Sequence, residues 1–258
     1  MSALGLIAGL ALATWLVSLW RRDVSIIDGM WPVFIASAGM LYAASAPRPG
    51  AAGTLSPVSG AALMLLVVWA ARLCLHITVR NHGQPEDRRY QKIRANNQPH
   101  FELKSLYLVF GLQAALAWVV ALPFMAIVQD SGGTGVVGIV GLLLAASGIA
   151  YESIADWQLE RFKKRADGKG AVLDSGLWRY SRHPNYFGEC CVWWGFGLMA
   201  LGAGAWWALA SPLLMTLLLL KVSGVTMLEK DIGERRPQYA RYIRETNAFL
   251  PGRPGTKG

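Results

Sequence analysis

The chain has 258 residues, 53% of them hydrophobic and only 16% charged, with 11 Trp and a mean hydropathy of +0.33. That balance excludes a disordered segment and a water-soluble domain, because the apolar surface exceeds what one small core hides; it reads as a polytopic membrane protein. The net charge of +9 invites a nucleic-acid reading, which the placement of the charges removes.

Apolar windows long enough to cross a bilayer fall at about 2–20, 29–47, 60–79, 105–127, 135–155, 187–203 and 205–221. The first has no basic region before it and reads as a retained span, not a cleaved signal. Gly202-Ala203-Gly204-Ala205 reads as a tight turn dividing the last two. Basic residues gather after spans one, three, five and seven. Of 25 Lys and Arg, 23 fall on that alternating side, Arg48 and Arg72 being the exceptions. The positive-inside rule then puts the N-terminus outside and the tail in the cytoplasm, which requires an odd number of spans. The predicted fold class is all-α, one membrane domain of seven transmembrane helices. The charge is topology, and no nucleic-acid partner is expected.

Polar residues inside such a chain are costly and therefore informative. Asp28 and Trp31 open span two, where Asp28 either pairs with Arg72 or Arg80 or faces a substrate. Arg72, His76 and Arg80 recur every four residues along span three. Glu86-Asp87-Arg88-Arg89-Tyr90 follows in the loop. Tyr90 and His76 are the natural proton donors of this half, with Arg72 as a third candidate catalytic group. Gly133-Thr134-Gly135-Val136-Val137-Gly138 matches a dinucleotide fingerprint, but no strand precedes it and it opens a span. Glu152 and Asp156 lie one turn apart at the end of span five, followed by Gln158, Arg161, Lys163 and Lys164. Cys74, Cys190 and Cys191 have neither disulfide nor metal-ligand spacing, and no metal is expected.

The most distinctive stretch is Gly176-Leu177-Trp178-Arg179-Tyr180-Ser181-Arg182-His183-Pro184-Asn185-Tyr186-Phe187-Gly188-Glu189. Pro184 suits the first position of a helix, where its missing N–H had no partner. Asn185 and Glu189 then share a face, and Arg179, Arg182 and His183 sit beside an N-terminus that favours anions. Acids and an amide suit the hydroxyls and carboxamide of a nucleotide, while basic residues suit its phosphates. The tail carries Glu229 and then Tyr239, Arg241, Tyr242 and Arg244. It either lies on the membrane surface as an anchor or folds over a nucleotide.

The stretch at 176–189, the Glu-x-x-x-Asp-x-Gln of 152–158 and the Tyr-x-x-Tyr and Phe-Leu-Pro of the tail resemble the C-terminal domain of the steroid 5α-reductases. Asp23-Val24-Ser25-Ile26-Ile27-Asp28-Gly29-Met30-Trp31 and Glu86–Tyr90 resemble, more closely, the bacterial membrane proteins grouped with that family as a domain of unknown function. The resemblance implies a monomeric, multi-pass protein of the cell inner membrane that reduces a carbon–carbon double bond conjugated to a carbonyl in a lipid-like substrate. It implies NADPH held by residues 129–258 and the hydrophobic substrate held in a cavity of residues 1–128. By position, Asp156, Asn185 and Glu189 would contact the cofactor, and Glu152 aligns with a cofactor-facing polar position whose residue type differs. Gln158, Arg161, Lys164, Arg179, Tyr180, Arg182, His183, Tyr186, Glu229, Tyr239 and Tyr242 complete the expected cofactor set. The Gln-Glu pair with which steroid reductases grip a substrate carbonyl is not evident here. The Arg-His-Pro-x-Tyr-x-Gly-Glu core is also similar to isoprenylcysteine carboxyl methyltransferases, so a methyltransferase using S-adenosylmethionine is the alternative.

Overall fold

The computed structural model describes residues 2–47, 55–130, 135–165, 171–222 and 237–255, and among these it is helical with no strand. In chain order the helices are α1 (Ala3–Arg21), α2 (Ile26–Ser45), α3 (Pro57–Asn81), the short α4 (Arg88–Asn96), α5 (Phe101–Ile127), α6 (Gly135–Arg165), α7 (Pro184–Gly202), α8 (Trp206–Val222) and α9 (Pro237–Glu245). Five of them (α1, α2, α3, α5 and α6) are long and apolar enough to cross a membrane. The sixth expected span, α7, has 19 residues, but Asn185 and Glu189 make its first turns polar. The seventh, α8, is a shorter apolar helix. All seven expected segments are therefore helices, while five meet the length and hydropathy of a span.

Local chemistry sets the boundaries. Ser2 and Ser56 cap α1 and α3 by accepting the N–H groups of Gly5 and Ser59, at 3.2 and 3.1 Å. Pro57 and Pro184 each take a first helical position. The turn at 202–205 closes as expected, with Gly204 at φ +82° and its N–H on the Leu201 carbonyl. One boundary differs from expectation. Helix α6 does not end near 155 but continues to Arg165, because its polar last turns are rich in helix-forming Glu, Gln, Arg and Lys.

The chain divides into two compact units, Met1–Gly135 with Ala200–Ser211, and Val136–Met199 with Pro212–Gly258. In the first unit α2 is central and touches α1, α3 and α5. Phe34, Ile35 and Ala38 are wholly buried, and a Cβ on Gly39 would lie 2.5 Å from Leu66. Between membrane helices this close fit, with hydrogen bonds to backbone, replaces the hydrophobic drive available in water. Ser59 and Ser211 each donate a hydroxyl to a carbonyl of α5, Ile127 at 2.6 Å and Val120 at 2.7 Å.

The second unit is built on an antiparallel pair, α6 and α7. A Cβ on Gly141 would meet the Gly195 carbonyl at 2.6 Å, and one on Gly148 the Val192 nitrogen at 2.7 Å. One on Gly188 would meet the Glu152 nitrogen at 2.7 Å. The contacting positions, 141, 145, 148 and 152 against 199, 195, 192 and 188, alternate steps of four and three, so one face of each helix is small. The opposite stripe of α6, at 136, 140, 143, 147, 150, 154 and 157, is exposed.

Candidate functional site

The small-residue seam of the second unit ends in polar side chains. Glu152 backs onto Gly188, and one turn further Asn185 donates its amide to Asp156 Oδ1 at 3.1 Å. On α7 the indole N–H of Trp193 donates to Glu189 Oε1 at 2.9 Å. Glu152, Asp156 and Glu189 are 4%, 6% and 5% exposed. Three carboxyl side chains buried within two turns of an otherwise apolar helix pair cost several kcal/mol unless hydrogen bonds compensate, which marks a place where polar chemistry is wanted. The seam positions them. Because the backbones nearly touch at Gly148 and Gly188, short side chains such as Asp156 and Asn185 reach one another.

Several residues expected beside a nucleotide are engaged elsewhere. Arg182 is buried, with its guanidinium on the Ile243 carbonyl at 3.0 Å and on the Thr246 carbonyl, and its N–H on the Asn247 carbonyl at 2.9 Å. Tyr242 donates its hydroxyl to the Trp178 carbonyl, and Tyr239 packs edge-on against it. Ser181 donates to the Phe249 carbonyl at 2.8 Å. Trp178, Tyr180, Ser181, Arg182 and Phe187 of the 176–189 stretch therefore bind the tail, which runs along it as far as Gly252. Gln158 accepts the Leu177 N–H at 3.0 Å and lies over Gly176. That glycine has φ +61° and leaves no room for a Cβ. Arg161 stacks over Trp157 at 5.1 Å, and with Lys164 it shares the exposed stripe of α6, away from the face of Asp156. Arg179 and Tyr180 are exposed, His183 is buried and stacked on Tyr186 at 5.5 Å, and Glu229 lies outside the described residues.

The first unit holds a second polar cluster. Tyr90 on α4 donates its hydroxyl to Asp28 Oδ1 at 2.6 Å, and Arg89 reaches Asp28 Oδ2 at 2.7 Å. Asp28 therefore pairs with Arg89, not with Arg72 or Arg80 as the sequence suggested. Pro32, one turn along α2, removes the N–H that would have met the Asp28 carbonyl. Asp87 caps α4 and also accepts from Arg89 Nε at 3.0 Å. Glu86 ties Arg94, at 2.8 Å, to the Val24 N–H, at 2.9 Å, so the turn before α2 is bound to the loop before α4.

Electrostatics follow from these partners. Burial first, then the Asp28 charge, pushes the Tyr90 phenol far above its ordinary value, so it keeps its proton. Burial alone would lower the Arg89 guanidinium, but Asp28 and Asp87 outweigh it and raise it. Burial would raise Glu86 and Asp87, yet hydrogen bonds from Arg94 and from Arg89 hold both carboxyls below their ordinary values. Arg72 and His76 are half-buried on α3, on the side away from an apolar groove between α2 and α3. Tyr90 and Asp28 stand out separately in the sequence; that Asp28 accepts from both Tyr90 and Arg89 is not visible there.

Residues 14–246 match the family model described as "Protein of unknown function (DUF1295)". None of the curated proteins matches the chain.

Proposed function

The chain belongs to the DUF1295 family, which is related to steroid 5α-reductase-like proteins, and from that premise we propose a membrane-embedded, NADPH-dependent reductase. Its substrate is a lipid-like molecule with a carbon–carbon double bond conjugated to a carbonyl. In this reading the seven segments all span, the N-terminus lies outside and the tail lies in the cytoplasm of a cell inner membrane. The observation that carries it is the buried Asp156–Asn185 pair beside Glu152 and Glu189.

That donor set fits the hydroxyls and carboxamide of a nicotinamide nucleotide: carboxylates accept from hydroxyls, and the Asn185 amide can both donate and accept. For phosphate, the groups left over are Arg179 and the first-turn N–H groups of α7, since Arg182 is turned to the tail. When bound, the nucleotide supplies a hydride. The protein's own part is to orient both reactants and to stabilise the negative charge that develops on the carbonyl oxygen. Tyr90 is the group we assign to that oxygen, with its proton retained by burial and its ring held by Asp28 and Arg89. The phenol hydrogen now rests on Asp28, and turning it from that carboxylate to the carbonyl would supply the hydrogen bond. A methyl transfer from S-adenosylmethionine needs no such acid, which is why Tyr90–Asp28 favours reduction.

Titrating the purified protein and following nicotinamide fluorescence tests this. Saturable NADPH binding that Asp156→Ala weakens at least tenfold is expected. Saturable S-adenosylmethionine binding with none of NADPH overturns the reading.

A further inference from the structure

The exposed stripe of α6 changes character along its length, and the change comes after a run as long as a bilayer's hydrocarbon core is thick. From Val136 to Ile154 the outward positions are apolar or small over 18 residues, about 27 Å at 1.5 Å per residue. That matches the roughly 30 Å hydrocarbon core. The next outward residue is Trp157, 56% exposed, then Arg161, then Lys164. Arg161 does not extend freely, since its guanidinium lies over the Trp157 ring at 5.1 Å. Stacking there orients the guanidinium and leaves its edge donors facing outward. An indole at the boundary with an ordered guanidinium and an ammonium one and two turns beyond suits a phosphodiester headgroup whose acyl chains run along Ile154.

We propose that Trp157, Arg161 and Lys164 form a site for an anionic phospholipid, with its phosphate on Arg161 and Lys164 and its chains on the apolar stripe. Charge complementarity selects the lipid. A zwitterionic headgroup brings its own cation against Arg161 and Lys164, whereas an anionic one does not. Each basic residue near an anionic surface contributes about fivefold in local enrichment. The site lies on the face of α6 opposite the Gly148–Glu152 seam, so it is independent of the proposed nucleotide site.

The test uses the full-length protein in phosphatidylcholine vesicles containing brominated phosphatidylglycerol, or brominated phosphatidylcholine at the same mole fraction. Trp157 fluorescence is read as the difference between the wild type and Trp157→Phe. Phosphatidylglycerol is expected to quench that share several-fold more efficiently, and Arg161→Gln with Lys164→Gln to abolish the preference while both lipids still quench. Equal quenching of the wild type, no quenching by either lipid, or a preference that survives the double substitution would each overturn it. So would loss of the preference on adding inorganic phosphate at the lipid's concentration, because the site would then be one for a soluble anion.

Discussion

Adding a single methyl at Gly148 tests whether the close approach of α6 and α7 holds the polar pair together. In Gly148→Ala the new Cβ would stand 2.7 Å from the Val192 nitrogen and 2.8 Å from the Gly188 carbonyl oxygen. Both are backbone atoms, so no side chain can turn aside. Restoring ordinary contact at 3.4 Å separates the helices by about 0.7 Å. The Asp156–Asn185 bond lies eight residues along, about 12 Å away, and starts at 3.1 Å. Separation of that size takes it past about 3.5 Å, where it ceases to be a hydrogen bond. Forcing a methyl into a close-packed seam costs about 1–3 kcal/mol, and replacing a helical glycine returns about 0.5–1 kcal/mol. The net cost of about 0–2.5 kcal/mol lowers the melting temperature in detergent by up to roughly 10 °C, with NADPH affinity down about tenfold. Gly9→Ala on α1 is the control, since nothing lies within 4 Å of its Cβ; it should melt at or above the wild type. If Gly148→Ala melts with Gly9→Ala and binds nucleotide unchanged, the seam does not hold the site.

Tyr90→Phe removes the hydrogen bond to Asp28; reduction of a lipid enone should fall about a hundredfold with NADPH titration unchanged, whereas an equal loss in both would make Tyr90 structural. Arg182→Ala frees the Ile243 and Thr246 carbonyls, so trypsin should cut at Arg241 or Arg244 much faster than in the wild type at equal enzyme; unchanged cleavage would show that the tail is held without it. Glu86 is held below its ordinary value of 4.5 by Arg94 and the Val24 N–H. Its contribution is therefore complete above that value and disappears as pH falls through the lower folded one. Melting followed from neutral pH to pH ~3 should show a drop in the wild type that Glu86→Gln lacks; parallel curves would refute the link.

The helical class, the seven apolar segments and the opening of α7 at Pro184 were legible in the sequence. Each depends on residues that are neighbours along the chain: a hydropathy sum, a missing N–H, a glycine turn. The partners of polar side chains were not legible. Asp28 meets Arg89 across 61 residues, and Arg182 meets Thr246 across 64. Nothing in the local pattern separates an arginine bound for a phosphate from one bound for a carbonyl. The same holds for α6, where Arg161, Lys164 and Asp156 look like one polar cluster in sequence. Only the burial of one face against Gly188 and Val192 divides them into a side that meets α7 and a side that is exposed. What the chain does with water and membrane was set by composition, because transfer free energies add residue by residue. Which groups are brought within hydrogen-bonding reach was decided by tertiary packing, because that depends on how closely two backbones can approach.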